Sequence, residues 1–269
     1  MLNFRTDMAD ERNDLYKQAN GIKDNVPGVE TEEIQENENI KTTIVKITNE
    51  EGEKSIGKPI GIYVTVDVKN LRIADEDDIT KAAETVSKQL KPIIEKHVAN
   101  MDETLVVGLG NRFMTPDSLG PKVISDIEIT RHFIKYTPQY VKEGTRSVSA
   151  VAPGVLGTTG IETIEILKGI VDNVKPKMVI AVDSLSSNNI ERISTTIQIA
   201  DTGIVPGGGV GNQQKELTQK TLGIPVIAIG VPMVKGLPED EHFIITPKEI
   251  DELIDNMSNV VARGINLSL

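Results

Sequence analysis

Two acidic residues stand where an α/β chain places its chemistry. The apolar run Leu105-Val106-Val107 breaks into Gly108-Leu109-Gly110-Asn111, and Asp117 follows at what reads as the start of a helix. A second apolar run, Val179-Ile180-Ala181-Val182, leads directly into Asp183. Glycine lets a backbone turn sharply, and open α/β sheets bind ligands at the carboxyl ends of their strands. Two carboxylates there can cut an amide in either of two ways. Lying close together, they share a proton, and one activates water while the other protonates the leaving nitrogen. Alternatively, both ligate a divalent metal that acidifies bound water. Spacing alone does not separate these routes. Asp117 also has a plainer reading: after Thr115-Pro116 it is placed to cap the helix that begins there. Asp183 needs no such role, and the pairing is what makes a site of Asp117.

Other motifs are weaker. In the dinucleotide fingerprint G-x-G-x-x-G the third glycine would fall on Phe113, so the helix is not expected to approach strand and pyrophosphate in that manner. The cluster Gly207-Gly208-Gly209-Val210-Gly211-Asn212 lacks a following Lys-Ser or Lys-Thr and reads as a turn near the active face. Gly108, Gly110, Asn111, Gly209 and Gly211 are therefore read as supports of the site. His97, His132 and His242 show no H-E-x-x-H spacing, and no serine sits in G-x-S-x-G. His132, after Thr130-Arg131, is placed to orient a carboxylate or a substrate.

Composition narrows the setting. Lys+Arg 29 against Asp+Glu 40 gives a net charge of −11, which opposes direct nucleic-acid binding. The absence of cysteine excludes disulfides, thiolate metal sites and a cysteine nucleophile. No run approaches the roughly 18 apolar residues of a membrane helix, and no basic segment precedes an apolar one at the N-terminus. The chain reads as cytoplasmic, with no membrane partner. Aromatics make up 3% of the 269 residues and Trp is absent, so Ile, Val and Leu must build the core, as in strands buried on both faces.

The elements that must position the acids follow from periodicity. The chain is polar and acid-rich from Met1 to about Asn39, a stretch in which Thr6-Asp7-Met8-Ala9-Asp10-Glu11 suits a short capped helix, and residues 8–40 read as an extended arm. Thr42–Thr48 and Pro59–Val68 read as a long-looped hairpin, and Ile79–His97 as a helix with Pro92 inside it. Strands are expected at Thr104–Gly108, Ser147–Val151, Met178–Val182, Ser194–Ile199 and Ile224–Ile229. Helices are expected at Asp117–Ile127, Gly160–Val174, Lys215–Leu222 and Pro247–Ile265. This alternation predicts one α/β domain over residues 41–269, a mostly parallel open sheet flanked by helices, with the hairpin added.

Several of these segments, taken together, resemble a known family. Val106-Val107-Gly108-Leu109-Gly110-Asn111, Thr115-Pro116-Asp117-Ser118-Leu119-Gly120-Pro121, Ile129-Thr130-Arg131-His132, Val151-Ala152-Pro153-Gly154-Val155 and Gly209-Val210-Gly211-Asn212 are similar to the germination proteases of spore-forming Firmicutes. So is Gly223-Ile224-Pro225-Val226-Ile227-Ala228-Ile229-Gly230, and the likeness runs from Arg5 to Val234. The resemblance implies a fold like that of the hydrogenase-maturation peptidases. It implies an endopeptidase that begins degradation of small acid-soluble spore proteins in the spore core, with catalytic aspartates at Asp117 and Asp183. It also implies a homotetramer made as a zymogen, cutting after an acid and before a hydrophobic residue followed by Ala. Thr6-Asp7-Met8-Ala9 fits that pattern, making residues 1–7 a propeptide released at Asp7-Met8. The family's acid four residues before the cut is missing, Phe4 or Arg5 standing there. The Lys235–His242 segment is short where a long insertion is expected, which bears on assembly and zymogen control. The rival readings are a metal-dependent maturation peptidase acting on one protein, and a nucleotide-binding module.

Overall fold

The strand Thr104–Gly108 organises the molecule, because all five of its residues are buried and it has partners on both sides. The computed structural model describes residues 6–69, 71–99, 102–206, 215–237 and 240–269. In chain order the elements are α1 (Ala9–Asn20), β1 (Val29–Gln35), β2 (Ile40–Ile47), α2 (Glu50–Ile56), β3 (Gly61–Val68), α3 (Glu76–His97), β4 (Thr104–Gly108), α4 (Leu119–Ser125) and α5 (Arg131–Tyr136). There follow β5 (Val148–Val151), α6 (Leu156–Thr159), α7 (Thr163–Val174), β6 (Met178–Ser186), β7 (Thr196–Ala200), α8 (Gln219–Leu222), β8 (Val226–Leu237), β9 (Asp240–Ile245) and α9 (Ile250–Asn266).

The sheet order is β1-β2-β3-β7-β8-β6-β4-β5, with β9 paired to β8. The α/β class follows the sequence, but the parallel pairing predicted by alternation is confined to β5, β4, β6 and β8. From β8 outward every pairing is antiparallel, and the expected hairpin, β2 with β3, joins the sheet through β7. The chain leaves β4 for β5 on one side and returns to β6 on the other. That reversal opens a crevice at the carboxyl end of β4, where open α/β sheets bind ligands.

Alternation along the strands sorts side chains into two layers. Val106, Ile180, Val182, Ile227, Ile229 and Ile197 join the core built with Leu90 and Ile94 of α3, Val123 of α4 and Val261 of α9. Leu105, Val107, Val179 and Ala181 face the opposite way, onto Ile164 and Leu167 of α7 and Leu222 of α8. Each such fully buried aliphatic side chain contributes about 1.5–3 kcal/mol. Helix α3 starts where Asp75 accepts from Asp77 N and Asp78 N, both at 3.0 Å, and its apolar stripe from Ile79 to Ile94 meets α9.

Residues 8–40 depart from the extended arm read in the sequence. Helix α1 buries Ala9, Asp10 and Asn13, and β1 pairs along its full length with β2. Apolar periodicity is weak here because polar contacts hold α1. Arg192 Nη2 lies 2.7 Å from Asp10 Oδ2 and 3.3 Å from Asp67 Oδ2, and Arg192 Nη1 lies 3.6 Å from Glu11 Oε1. Five elements were not read from sequence. They are β1, α2 (capped by Asn49, which accepts from Glu51 N and Gly52 N), the short helices α5 and α6, and β9, which pairs with the far end of an extended β8. The helix expected over Lys215–Leu222 shrinks to the single turn of α8.

Candidate active site

Glycine contacts bring Asp117 to the end of β4. A Cβ on Gly108 would lie 2.2 Å from Gly120 O, and one on Gly120 would lie 2.3 Å from Leu109 O. Only paired glycines let α4 pack this closely on β4. The helix thus approaches its strand although Phe113 replaces the third fingerprint glycine, and Phe113 itself points to solvent, 83% exposed. Gly110 has φ 108°, and its missing Cβ would sit 2.0 Å from Asp117 O. Asp117 belongs to the 3-10 turn Thr115–Asp117 and does not cap α4, whose N-cap is Ser118. Its Oδ2 instead accepts from Asn111 N at 2.8 Å, tying the turn after β4 to the turn before α4. Burial raises the Asp117 carboxyl above the usual carboxylate range, while the Asn111 hydrogen bond pulls it the other way.

Asp183 lies within β6, which runs on to Ser186 and does not stop at Val182. Parallel pairing with β4 ends at Gly108 opposite Val182, with Leu109 N donating to Val182 O at 2.8 Å. Asp183 is therefore the first β6 residue past that pairing. It is 3% exposed, and its Oδ1 accepts from Ser184 N at 2.9 Å. Asp117 and Asp183 line one cavity of about 490 Å³, together with Gly110, Asn111, Met114, Leu156 and Asp7.

Asp7 enters that cavity on a strand-like segment laid against the end of β6. Its N donates to Ser186 O at 3.0 Å, and its carboxylate accepts from Ser186 N at 2.9 Å and Ser186 Oγ at 3.0 Å. Its carbonyl accepts from Gln198 Nε2 at 3.1 Å, and Gln198 Oε1 accepts from Ala9 N at 2.7 Å. Met8 and Ala9 are fully buried. Positive charge surrounds the acid: Arg12 Nε donates to Thr6 O at 2.8 Å, and burial pulls the Lys58 amine down to about 8, with Asp7 opposing that shift.

Of the residues read as supports, Gly110 and Asn111 line the cavity, and Gly108 shapes the contact beneath it. His132 does not join them. It is exposed on α5, its ring 3.9 Å from that of Phe133, because α5 packs outside the crevice. Gly209 and Gly211 lie outside the described residues. Among the described residues no group of three or more His, Asp or Glu is disposed to hold a metal ion. Ser186 and Gln198 were not singled out from sequence. Gln198 did carry a signal: it is a carboxamide inside the otherwise apolar strand Thr196–Ala200, and a buried polar group needs a partner.

Fold and cavity define an α/β protein with paired carboxylates at the switch point of its sheet. The family model described as germination protease matches residues 5–237. A germination protease from Caldanaerobacter subterraneus subsp. tengcongensis is 44% identical, covering 100% of this chain and 95% of its own. Another, from Clostridium acetobutylicum, is 40% identical, covering 100% of this chain and 96% of its own. The chain belongs to the germination protease family and is an endopeptidase. A solved NiFe hydrogenase maturation protease from Thermococcus kodakarensis matches with a TM-score of 0.37 and 18% identity, over 64% of this chain and 97% of that one. The alignment with the Caldanaerobacter protein extends over 317 residues, so that relative carries residues without a counterpart among the 269 here.

Proposed function

We propose that Asp117 and Asp183 hydrolyse the peptide bond, and that the first bond they cut is Asp7–Met8 of their own chain. Water adds to the Asp7 carbonyl carbon, one carboxylate taking its proton. The bond to Met8 nitrogen then breaks as the other carboxylate delivers a proton to that nitrogen. The products are a carboxylate at Asp7 and an amino terminus at Met8. Burial favours the protonated form of Asp117, which suits it to the acid role, with Asp183 as the base. Were a divalent metal to bind, Asp117 and Asp183 would be the residues to hold it, and it would supply water of lowered pKa.

One observation carries this reading: Asp7 lines the same cavity as Asp117 and Asp183, and its carboxylate accepts from Ser186 N and Ser186 Oγ at the end of β6. The contacts also account for the sequence cut. An acid meets the Ser186 donors and the charges of Arg12 and Lys58, while the two residues after it are swallowed whole. Once the segment leaves, the same subsites are open to acid-bearing stretches of small acid-soluble spore proteins, whose degradation during germination the enzyme would begin in the spore core. A homotetramer, as the family resemblance implies, is part of the proposal and is checked by light scattering.

The test is mass spectrometry of the full chain and of its Asp117→Asn and Asp183→Asn variants. The unchanged chain is expected to lose residues 1–7 and to cut small acid-soluble proteins, and each variant to do neither while melting as a folded protein. A trimmed Asp117→Asn chain would overturn the assignment.

A further inference from the structure

The carboxamide of Gln198 spans the very bond that self-trimming would cut. Its Nε2 donates to the Asp7 carbonyl oxygen at 3.1 Å, the oxygen that gains charge when water adds, and its Oε1 accepts from Ala9 N at 2.7 Å. One rigid side chain thus grips the peptide on either side of Met8. Gln198 is 6% exposed, so no solvent competes for these contacts.

The sheet aligns this grip with the acids. Gln198 is in register with Gly230 of β8, and Gly230 with Asp183 of β6. In-register residues of neighbouring strands point to the same face, so Gln198 and Asp183 look out from one row, with a glycine between them. Their Cα atoms are two strand spacings apart, about 10 Å. Asp7, whose carbonyl the Gln198 amide holds, lines the same cavity as Asp183. A Cβ on Gly230 would lie 2.4 Å from Leu185 Cδ1, so the glycine also lets Leu185 lie down between them.

We propose that Gln198 binds the scissile peptide for hydrolysis, its Nε2 stabilising the oxyanion that forms on the carbonyl oxygen and its Oε1 fixing the register of the residues that follow. This rests on the self-trimming reading and deepens it. Neutral donors aimed at a developing oxyanion act without reorganisation, and removing one costs on the order of 10²-fold or more in rate.

The experiment follows release of residues 1–7 from the full chain by mass spectrometry, with circular dichroism melting to confirm folding. Gln198→Ala is expected to slow trimming by on the order of 10²-fold. Gln198→Glu keeps the acceptor for Ala9 N but, ionised, has no proton for the carbonyl. Its rate relative to the unchanged chain should be low at neutral pH and recover as acid restores an O–H donor. A residue that merely fastens α1 to the sheet would not produce that recovery. Trimming of Gln198→Ala within threefold of the unchanged chain, or a Gln198→Glu ratio independent of pH, would overturn the assignment of Gln198 while leaving the two aspartates standing. An unchanged chain that never cuts at Asp7–Met8 would instead refute the self-trimming reading, and the role of Gln198 with it.

Discussion

Replacing Gly120 by alanine should disable the enzyme without touching a catalytic group. The added Cβ would lie 2.3 Å from Leu109 O, 2.4 Å from Leu109 N and 2.7 Å from Gly108 C, all backbone atoms that no rotamer change can move aside. Restoring an ordinary contact of about 3.5 Å forces α4 back from β4 by about 1 Å. Overpacking of this kind costs about 1–3 kcal/mol. The functional cost is larger, since Asp117 lies two residues before Leu119, the first residue of α4, and moves with it. A misplacement of about 1 Å at reacting groups lowers rates on the order of 10²-fold. Gly169→Ala is the control: nothing lies within 4 Å of its Cβ position in α7. There alanine should stabilise by about 0.5–1 kcal/mol, as expected for a helix interior. Urea unfolding gives both stabilities, and mass spectrometry of residues 1–7 gives both trimming rates. A Gly120→Ala chain with unchanged stability and normal trimming would refute the idea that the Gly108–Gly120 contact sets the position of Asp117.

Two further outcomes follow from charges. Arg192→Ala leaves Asp10 and Glu11 facing each other without their cation, and should cost about 3 kcal/mol in urea unfolding, with earlier proteolysis of α1 than of the sheet. For Asp117, burial keeps the proton on the folded chain at a pH where the unfolded chain has already lost it, so the native state loses stability as pH rises through the folded pKa. Asp117→Asn removes that loss. Its melting temperature should match that of the unchanged chain in strong acid and exceed it by a growing margin toward neutral pH; a margin that shrinks as pH rises would contradict the raised pKa.

The sequence by itself determined the alternation of apolar strands and amphipathic helices, because buried residues must repeat with the period of their element. It thereby located β4, α3 and the start of β6 closely, and put Asp117 and Asp183 forward as a pair. It also marked Asp7-Met8, though only as a pattern. Tertiary structure decided what local periodicity does not encode. Whether β7 runs parallel or antiparallel to β8 depends on which edge the chain reaches, not on its own residues. Helix α1, read as part of an arm, is held by Arg192 from far along the chain, and such ion pairs leave no periodic trace in either partner. Gly120 looks like an ordinary helix glycine until Gly108 is seen beneath it. The contacts of Asp7 with Ser186 at the end of β6 and with Gln198 of β7, 179 and 191 residues away, exist only because the fold brings these segments together.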